Sequence, residues 1–406
     1  MPDRKFYQMS LTERLDALKL SAETRQIFEN TALEPEIAGN LTENQISAIE
    51  IPLGVCFIRV DGKDYAVPMA TEEPSVVAAA NNGAKLCGEF TTTRSERLMS
   101  GQIVFYDVPD TDKLAENVEK QQTEIFRIAE SAYPSIYKRG GGLKDFSCKA
   151  YKNYLSVDFT FDTKDAMGAN IINTILEAIA GYFREVFPSE KILFAILTNE
   201  NCHCRTTVET RIPLDKIGWS VAEKVGKASD FAQIDSARAA THNKGIMNGV
   251  EAVVLATGND SRGAAAAIYA AEDSHQAFSR WFIEDDELVG VITLSLPIAA
   301  AGGATHVLPK ARASHELLGN PNAETLASII ASVGLANNLA ALKALVTRGI
   351  QAGHMSLQAR SLALSVGAAG SEIERLTRAL KKAALMNTET AQRLLKEIRN
   401  EDTTVS

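Results

Sequence analysis

The chain has 406 residues, of which 45% are hydrophobic and 23% charged, and it carries a formal net charge of -9 at pH 7. This composition is typical of a soluble globular protein with two or three domains and indicates neither disorder nor a fibrous repeat. The negative charge argues against a general nucleic-acid-binding protein, because phosphates are attracted by a basic surface.

The amino-terminal residues and the cysteines favour a cytoplasmic protein that does not enter a membrane. Residues 1–7 lack the apolar core of a signal peptide, and no window reaches the ~18 uninterrupted apolar residues of a membrane helix. The five cysteines are scattered and odd in number, which suits reduced thiols rather than a disulfide framework. Cys202-His203-Cys204 lacks the spacing of a zinc knuckle and a second ligand pair, so we expect no metal site.

The first hundred residues predict a helix, a hairpin and a second, Ala-rich helix. Residues 10–13 have the spacing of a capping box, and the leucines that follow share one helical face. Asp61-Gly62 between two apolar runs predicts a tight hairpin. Glu73 then precedes Pro74 and the Ala-rich helix, where a carboxylate suits the positive end of the helix. On these residues alone, a helix-start role for Glu73 is favoured over a functional one.

The character of the sequence changes near residue 99, where we place a domain boundary. A strand at 102–108 and a polar helix at about 113–132 lead to the triple glycine of residues 140–142. Glycines permit close approach to a phosphate, for which Lys138 and Arg139 would supply positive charge. A flexible connection explains the glycines equally well.

The next part of this region predicts a strand, a glycine-containing turn and a helix. The strand at 154–161 alternates cleanly, the turn spans residues 165–170, and the helix spans residues 171–183. The amides at the start of such a helix could bind a pyrophosphate. The turn is not a G-x-G-x-x-G sequence, so a Rossmann domain is not predicted. Strands at 191–197 and 205–213 are expected to complete a small α+β unit.

Residues 238–260 hold more polar chemistry than any other stretch. Their first half offers six polar side chains, Arg238, Thr241, His242, Asn243, Lys244 and Asn248. The apolar run 252–256 predicts a buried strand, and Asp260 follows it. Lys244 beside Asp260 would form an acid/base centre, although for any single lysine or aspartate a plain structural role is more common.

The carboxy-terminal third is predicted to be mainly helical. After a strand at 288–296, the apolar helix 325–346 carries few charges and is expected to be buried, in the core or in a subunit interface. Charged amphipathic helices begin near residues 371 and 387, and this terminal unit, tethered by glycines, could move as a lid. His354 lies at the root of the unit, where it is either a structural histidine or a functional one.

Five motifs of this chain, taken together and in order, resemble those of hydroxymethylglutaryl-CoA (HMG-CoA) reductase in its soluble class II form. They are residues 73–79 (EPSVVAA), 165–170 (DAMGAN), 241–248 (THNKGIMN), 257–260 (TGND) and 353–355 (GHM). The resemblance covers nearly the whole chain. It implies an α+β fold with a large mixed helical and sheet substrate domain (1–98 and 211–349), an inserted small α+β cofactor domain that is not Rossmann (99–210), and a mobile C-terminal helical flap (350–406).

The activity implied by the resemblance is a two-step reduction of HMG-CoA to mevalonate and free CoA, in the mevalonate pathway of isoprenoid biosynthesis. Four catalytic residues are implied with it, Glu73, Lys244, Asp260 and His354. Lys244 would stabilise the oxyanion of the thioester, and Glu73 would give it a proton. Asp260 would hold both in one network, and His354 would protonate the departing CoA thiolate.

The resemblance also implies which residues contact the ligands. The substrate-contacting positions are Ser75, Arg238, Thr241 and Asn248. Arg238 would be the partner of the free carboxylate of the substrate. The cofactor motif of the small domain supplies Asp165, Met167, Gly168 and Asn170.

The choice of cofactor is expected to depend on the residues before the triple glycine. Relatives that prefer NADH carry an acidic residue where this chain has Tyr133, and the basic Lys138 and Arg139 lie close in sequence. We therefore expect NADPH as the cofactor, with NADH possible. The family also implies a homodimer or higher homo-oligomer with the active site at the subunit interface.

The chain departs from the family pattern at several positions of the substrate motifs. Ser236-Ala237 stands where relatives commonly have Pro-Tyr, Ser261 where they have an aromatic residue, and Asn337 where they have Gln. None of these departures removes a catalytic group, so the reductase hypothesis leads. Two alternatives stay open: a non-catalytic acyl-CoA-binding protein that has kept the fold, and a thioester hydrolase that uses Glu73 and His354.

Overall fold

The computed structural model of the chain describes residues 5–29, 33–201, 203–271, 275–347, 349 and 359–404. Of the residues singled out in the sequence, Cys202 and His354 lie outside the described residues, as does the whole motif 353–355.

Helices and strands are mixed along the described ranges. After a single 3-10 turn at Phe6–Gln8, the helices are α1 (Leu11–Ala17), α2 (Ala22–Glu29), α3 (Pro35–Leu41), α4 (Val76–Cys87), α5 (Thr111–Glu119), α6 (Gln122–Ala132), α7 (Pro134–Lys138), α8 (Ala169–Val186), α9 (Leu214–Ile217), α10 (Trp219–Ile234), α11 (Ser236–Ala256), α12 (Ser261–Ala271), α13 (Ala304–Val307), α14 (Pro309–Leu317), α15 (Ala323–Val346), α16 (359–365), α17 (Ser371–Leu380) and α18 (Thr388–Thr404). The strands are β1 (Leu53–Val60), β2 (Lys63–Ala70), β3 (Thr91–Arg94), β4 (Met99–Tyr106), β5 (Gly142–Tyr151), β6 (Tyr154–Asp162), β7 (Lys191–Thr198), β8 (Arg205–Pro213), β9 (Ser279–Glu284) and β10 (Glu287–Ser295).

The strands form three separate sheets, and every pairing between these strands is antiparallel. β1 and β2 form the hairpin predicted at Asp61-Gly62. The second sheet has the order β3-β8-β10-β9, and the third has the order β5-β6-β4-β7. A Rossmann domain requires a mainly parallel sheet. The expectation of an α+β fold without a Rossmann domain is therefore confirmed.

Buried apolar side chains form three clusters. The first joins residues 56–90 with residues 208–342. The second is confined to residues 99–204, and the third to residues 359–398 of the terminal helices. The residues of the second cluster therefore form an insertion between β3 and β8, whose neighbours in sequence belong to the first cluster.

Three expectations about local structure are wrong. Residues 252–256 are the last turns of the helix α11 and not a strand, because an apolar run alone does not distinguish a buried helix from a buried strand. The polar helix expected at 113–132 is interrupted and forms α5 and α6. The strand at 205–213 does not complete the small unit, because β8 pairs with β3 and β10 in the second sheet.

The helix α15 packs against both helices that position the site, α4 and α11. It is long and apolar enough to cross a membrane, but 67% of its most apolar window is buried inside the protein, as in a core helix. α4 crosses it at Gly83, where a Cβ would lie 1.8 Å from the carbonyl oxygen of Ala336. α11 packs on it at Gly249, where a Cβ would lie 2.9 Å from the carbonyl oxygen of Val333. Because both helices lie against α15, Glu73 just before α4 comes next to Lys244 on α11.

Candidate active site

A contact between Glu73 and Lys244 lies where β2, α4 and α11 meet. Lys244 Nζ donates a hydrogen bond to Glu73 Oε2, and Asn248 Nδ2, one turn further along α11, donates to Glu73 Oε1 at 3.5 Å. Both charged side chains remain open to solvent, with 58% of Lys244 and 38% of Glu73 exposed. The helix-start interpretation of Glu73 is wrong, because α4 begins at Val76 with no acidic residue in its first turn. The carboxylate of Glu73 is therefore directed to α11 and not to the helix that follows it.

At the starts of α4 and α11, two polar atoms are buried and have no partner among the described residues. They are Ser75 Oγ, at the start of α4, and Arg238 Nε, in the first turn of α11. Ser75 has a φ of 79°, a left-handed conformation that costs on the order of 1 kcal/mol and is concentrated at functional sites. Buried polar atoms are nearly always hydrogen-bonded, so both atoms are suited to groups of a ligand. Thr241, the next expected substrate contact, is exposed one turn after Arg238.

Asp260 lies at the start of α12. Its Oδ1 accepts hydrogen bonds from the backbone amides of Arg262 and Gly263, at 3.1 and 3.0 Å. A Cβ at Gly263 would lie 2.8 Å from Asp260 Oδ2, so the glycine leaves room for the carboxylate. Within the part of the chain that the structure describes, no hydrogen bond joins Asp260 to Lys244 or Glu73. The network of three residues implied by the resemblance stays a prediction.

His242 belongs to a buried polar network behind the site. It is 1% exposed, and its Nε2 lies 2.7 Å from Ser279 Oγ and 3.0 Å from Asn338 Nδ2. Asn338 Oδ1 accepts hydrogen bonds from Ser279 Oγ at 2.9 Å and from Trp281 Nε1 at 2.7 Å. Burial, helped by the charge of Arg238, lowers the pKa of His242 to about 4. At neutral pH His242 is therefore an uncharged side chain that ties α11 to β9 and α15.

The cofactor motif at residues 165–170 forms the turn from β6 into α8. Gly168 has a φ of 93°, and a Cβ there would lie 2.3 Å from Thr163 Cγ2, so only glycine fits. The helix that follows has 18 residues, and its first amides, including that of Asn170, have no partner within the helix. Free amides at the positive end of a helix are a common anion site. The strand-turn-helix arrangement predicted for this region is confirmed.

A small cavity joins the cofactor motif to the turn that holds Asp260. Met167 and Asn199 line it together with Gly263, whose amide is hydrogen-bonded to Asp260. Asn199 carries no sequence signal, because it follows an ordinary apolar strand and belongs to no motif. Only the fold brings its Oδ1 within 3.6 Å of a Cβ placed at Gly263.

Asp165 forms hydrogen bonds with the start of α15 and with the residues that follow β10. Its Oδ1 accepts a hydrogen bond at 2.8 Å from the backbone amide of Ala323, the first residue of α15. Its carbonyl oxygen accepts from the amides of Ala300 and Ala301, at 2.8 and 3.0 Å. The residue therefore holds the cofactor motif against the start of α15 and residues 300–301, and its contact with a cofactor stays a prediction.

The three residues expected to set the cofactor preference lie around α7. Tyr133 precedes this helix and packs against the second cluster, whereas Lys138 ends it and Arg139 follows, both exposed. The triple glycine comes next, and a Cβ at Gly142 would lie 2.4 Å from the ring of Tyr137. This close packing, at the start of β5, contradicts a flexible connection.

Comparison with known proteins agrees with these features. A family model described as hydroxymethylglutaryl-coenzyme A reductase matches residues 10–359. The chain belongs to this family. The 3-hydroxy-3-methylglutaryl-coenzyme A reductase of Archaeoglobus fulgidus is 37% identical over 411 residues, which cover 97% of this chain and 94% of that protein. The probable reductase of Borreliella burgdorferi is 31% identical over 422 residues, covering 98% and 96%.

Solved structures of HMG-CoA reductase share the fold. The enzyme from Streptococcus pneumoniae superposes with a TM-score of 0.82 at 41% identity, covering 97% of this chain and 99% of that chain. A structure of the class II enzyme from the same organism, bound to NADPH in open conformations, has a TM-score of 0.80 at 42% identity and covers 96% and 100%. The resemblance found in the motifs is confirmed: the chain is an oxidoreductase of the HMG-CoA reductase family, whose reaction belongs to the mevalonate pathway.

Proposed function

We propose that the residues described above reduce the thioester of HMG-CoA in two steps, with NADPH as the hydride donor. In balance, one thioester, two NADPH and two protons give one primary alcohol, mevalonate, together with one CoA thiol and two NADP⁺. The observation that carries the proposal is the contact of Glu73, just before α4, with Lys244 and Asn248 of α11, which packs with α4 against α15.

The first role is the stabilisation of charge on the carbonyl oxygen. Lys244 supplies a positive charge for the oxyanion that forms as the thioester is reduced, and preorganised donors of this kind are often the largest catalytic contribution. Glu73, hydrogen-bonded to Lys244, is the acid that returns a proton to this oxygen. Asn248 bonds the second carboxylate oxygen of Glu73 and so limits its rotation.

The substrate carboxylate is assigned to Arg238, and Ser75 is assigned to a polar group of the same ligand. The support is that Arg238 Nε and Ser75 Oγ are buried without a partner in the described ranges. Thr241, on the exposed side of α11, completes the substrate contacts. His354, which lies outside the described residues, is assigned to the protonation of the CoA thiolate. A thiolate whose thiol has a pKa of ~8.5 takes a proton readily from an imidazolium with a pKa of ~6.5.

NADPH, when bound, supplies the hydride of both steps. The residues of this chain fit its phosphates, because Gly168 and Asn170 lie at the start of α8, where the backbone amides have no helical partner. Met167 borders the reactive end, since it lines the cavity that reaches the Asp260 turn. Asp260 is assigned to the network with Lys244 and Glu73, and Asp165 to the cofactor through the carboxylate oxygen that does not bind α15.

The preference for NADPH is assigned to the surroundings of Tyr133. Tyr133 replaces the acidic residue of NADH-preferring relatives, so this position does not repel a 2′-phosphate, and Lys138 and Arg139 are exposed at the end of α7. The support is the position of these residues before the triple glycine.

Three domains and a homodimer complete the proposal. We assign the first hydrophobic cluster to a substrate domain, the second to a cofactor domain and the third to a mobile terminal domain. The protein is proposed to work in the cytoplasm as a homodimer with its active site at the subunit interface. Ile46 and Ile49 support this assembly, because they are 98% and 94% exposed in a segment outside the helices and strands that a second copy would cover.

One assay tests the proposed reaction. The protein is incubated with HMG-CoA and NADPH, and nicotinamide absorbance is followed together with thiol release. We expect two NADPH oxidised for each thiol; thiol release without oxidation would indicate a hydrolase. Folded protein that gives neither signal would contradict the proposal.

A pair of lysine variants ties the activity to the site. Lys244→Met is expected to reduce kcat by about 100-fold or more, the range found when an oxyanion donor is removed. Lys227→Met is the matched control, because Lys227 also pairs with a glutamate, Glu223 at 2.7 Å, on the surface of α10. Equal kcat values for the two variants would show that the Glu73–Lys244 contact is not the catalytic one.

A further inference from the structure

Asn259, directly before Asp260, forms a closed pair of hydrogen bonds with one backbone residue. Its Nδ2 donates to the carbonyl oxygen of Ala299 at 3.0 Å, and the amide of Ala299 donates to Asn259 Oδ1 at 2.7 Å. The same Nδ2 donates to Thr257 Oγ1 at 3.1 Å, which holds the side chain from behind. The Asp260 turn is thereby attached to residues 296–301, which follow β10 and are called here the linking segment.

The other end of the linking segment is attached to the cofactor motif. The amides of Ala300 and Ala301 both donate to the carbonyl oxygen of Asp165, and Ala166 forms a parallel β-bridge with Ala301. The same segment therefore contacts the Asp260 turn through Ala299 and the cofactor motif through the next two residues.

The linking segment has little freedom to absorb a displacement. Leu296 and Ile298 are each 1% exposed, and Ala299 is 6% exposed. Arg97 Nη2 donates to the carbonyl oxygens of both Ile298 and Ala166, at 2.6 and 2.9 Å, which adds a second tie to the cofactor motif. Tightly packed interiors transmit small shifts rather than damping them.

We propose that Asn259 is a positioning residue that sets the placement of the Asp260 carboxylate relative to the cofactor motif. The inference rests on the proposed function, in which these two elements meet around the reacting atoms. The Asn259 side chain and the short linking segment connect these two elements. A misplacement of about 1 Å in such a geometry costs on the order of 100-fold in rate.

The experiment compares Asn259→Asp and Asn259→Ala with the wild-type protein. The aspartate keeps the shape of the side chain but has no hydrogen to donate to Ala299 and Thr257, and the alanine removes all three hydrogen bonds. We expect kcat to fall by about 10-fold to 100-fold and the KM for NADPH to rise. The KM for HMG-CoA should stay unchanged, because within the described ranges no hydrogen bond joins Arg238 or Ser75 to the linking segment.

Asn81→Ala is the matched control. Asn81 also bonds the backbone through both ends of its side-chain amide, since its Nδ2 donates to the carbonyl oxygen of Val55 at 2.9 Å and its Oδ1 accepts from the amide of Phe57 at 3.1 Å. This pair joins α4 to β1 and lies outside the linkage. The control should lose a similar amount of thermal stability with kcat and both KM values unchanged.

The outcomes separate the inference from the proposed function. If wild-type protein does not oxidise NADPH with HMG-CoA, the proposed function fails and the inference fails with it. If wild-type protein is active, the inference is overturned when the Asn259 variants lose only stability, as the control does. It is also overturned when their KM for HMG-CoA rises while the KM for NADPH does not.

Discussion

Mild acidification is expected to destabilise this protein through one buried histidine. Burial and the Arg238 charge lower the pKa of His242 from 6.5 to about 4 in the folded chain. Because the unfolded chain regains the ordinary pKa, it binds one more proton than the folded chain between these two values. The contribution is fully present above pH 6.5 and is lost as the pH falls to about 4. The loss amounts to about 1.4 kcal/mol per pH unit, or about 3 kcal/mol in all.

The measurement is urea denaturation of wild-type protein and His242→Gln across this pH range. Glutamine stays polar beside Ser279 and Asn338 but does not titrate, so the difference between the two proteins cancels the carboxylates that they share. The free energy of unfolding of the wild type should fall more steeply than that of the variant, by about 1.4 kcal/mol per pH unit. Parallel pH profiles for the two proteins would refute the reasoning.

Three further predictions concern packing, the Asp260 carboxylate and the cofactor. Gly83→Ala places a Cβ 1.8 Å from a carbonyl oxygen of α15 and should cost about 3 kcal/mol or more in urea denaturation. Gly181→Ala, on α8 with no atom within 4 Å, should instead stabilise by about 0.5 to 1 kcal/mol, and equal losses would contradict the packing argument. Gly263→Ala pushes on the Asp260 carboxylate, so kcat should fall about 10-fold or more with little change in Tm; the reverse pattern would count against a catalytic role for that carboxylate. Tyr133→Asp should shift the ratio of kcat/KM values toward NADH, whereas Tyr154→Asp at an exposed tyrosine of the same unit should not; an unchanged ratio in both would place cofactor choice elsewhere.

Local signals in the sequence were reliable where the interaction spans only a few residues. The capping box at Ser10 and the hairpin turn at Asp61-Gly62 are found as predicted, because each depends on backbone and side chains within one turn. The apolar run after Asn248 was assigned to a strand, and it is helical. Its composition reports burial on every side, and a helix such as α11 meets that condition as well as a strand does.

The active site, in contrast, depends on contacts between residues that are far apart in the sequence. Glu73 and Lys244 are 171 residues apart, and on sequence alone each had a plausible local role. Their contact exists because two helices cross α15 at positions that only glycine can occupy. The sequence around Glu73 or Lys244 does not predict where these helices cross α15.

By itself, the sequence determined the family, the mixed α+β class and about half of the helix and strand positions, because these depend on residue identity and short-range periodicity. The tertiary structure decided which of the candidate residues meet. It directs Glu73 to Lys244 and links the Asp260 turn to the cofactor motif through Asn259. It also buries His242, which is uncharged and connects α11 to β9 behind the site. Such contacts join residues far apart in the chain, and they are set by the packing of α4, α11 and the linking segment rather than by the residues themselves.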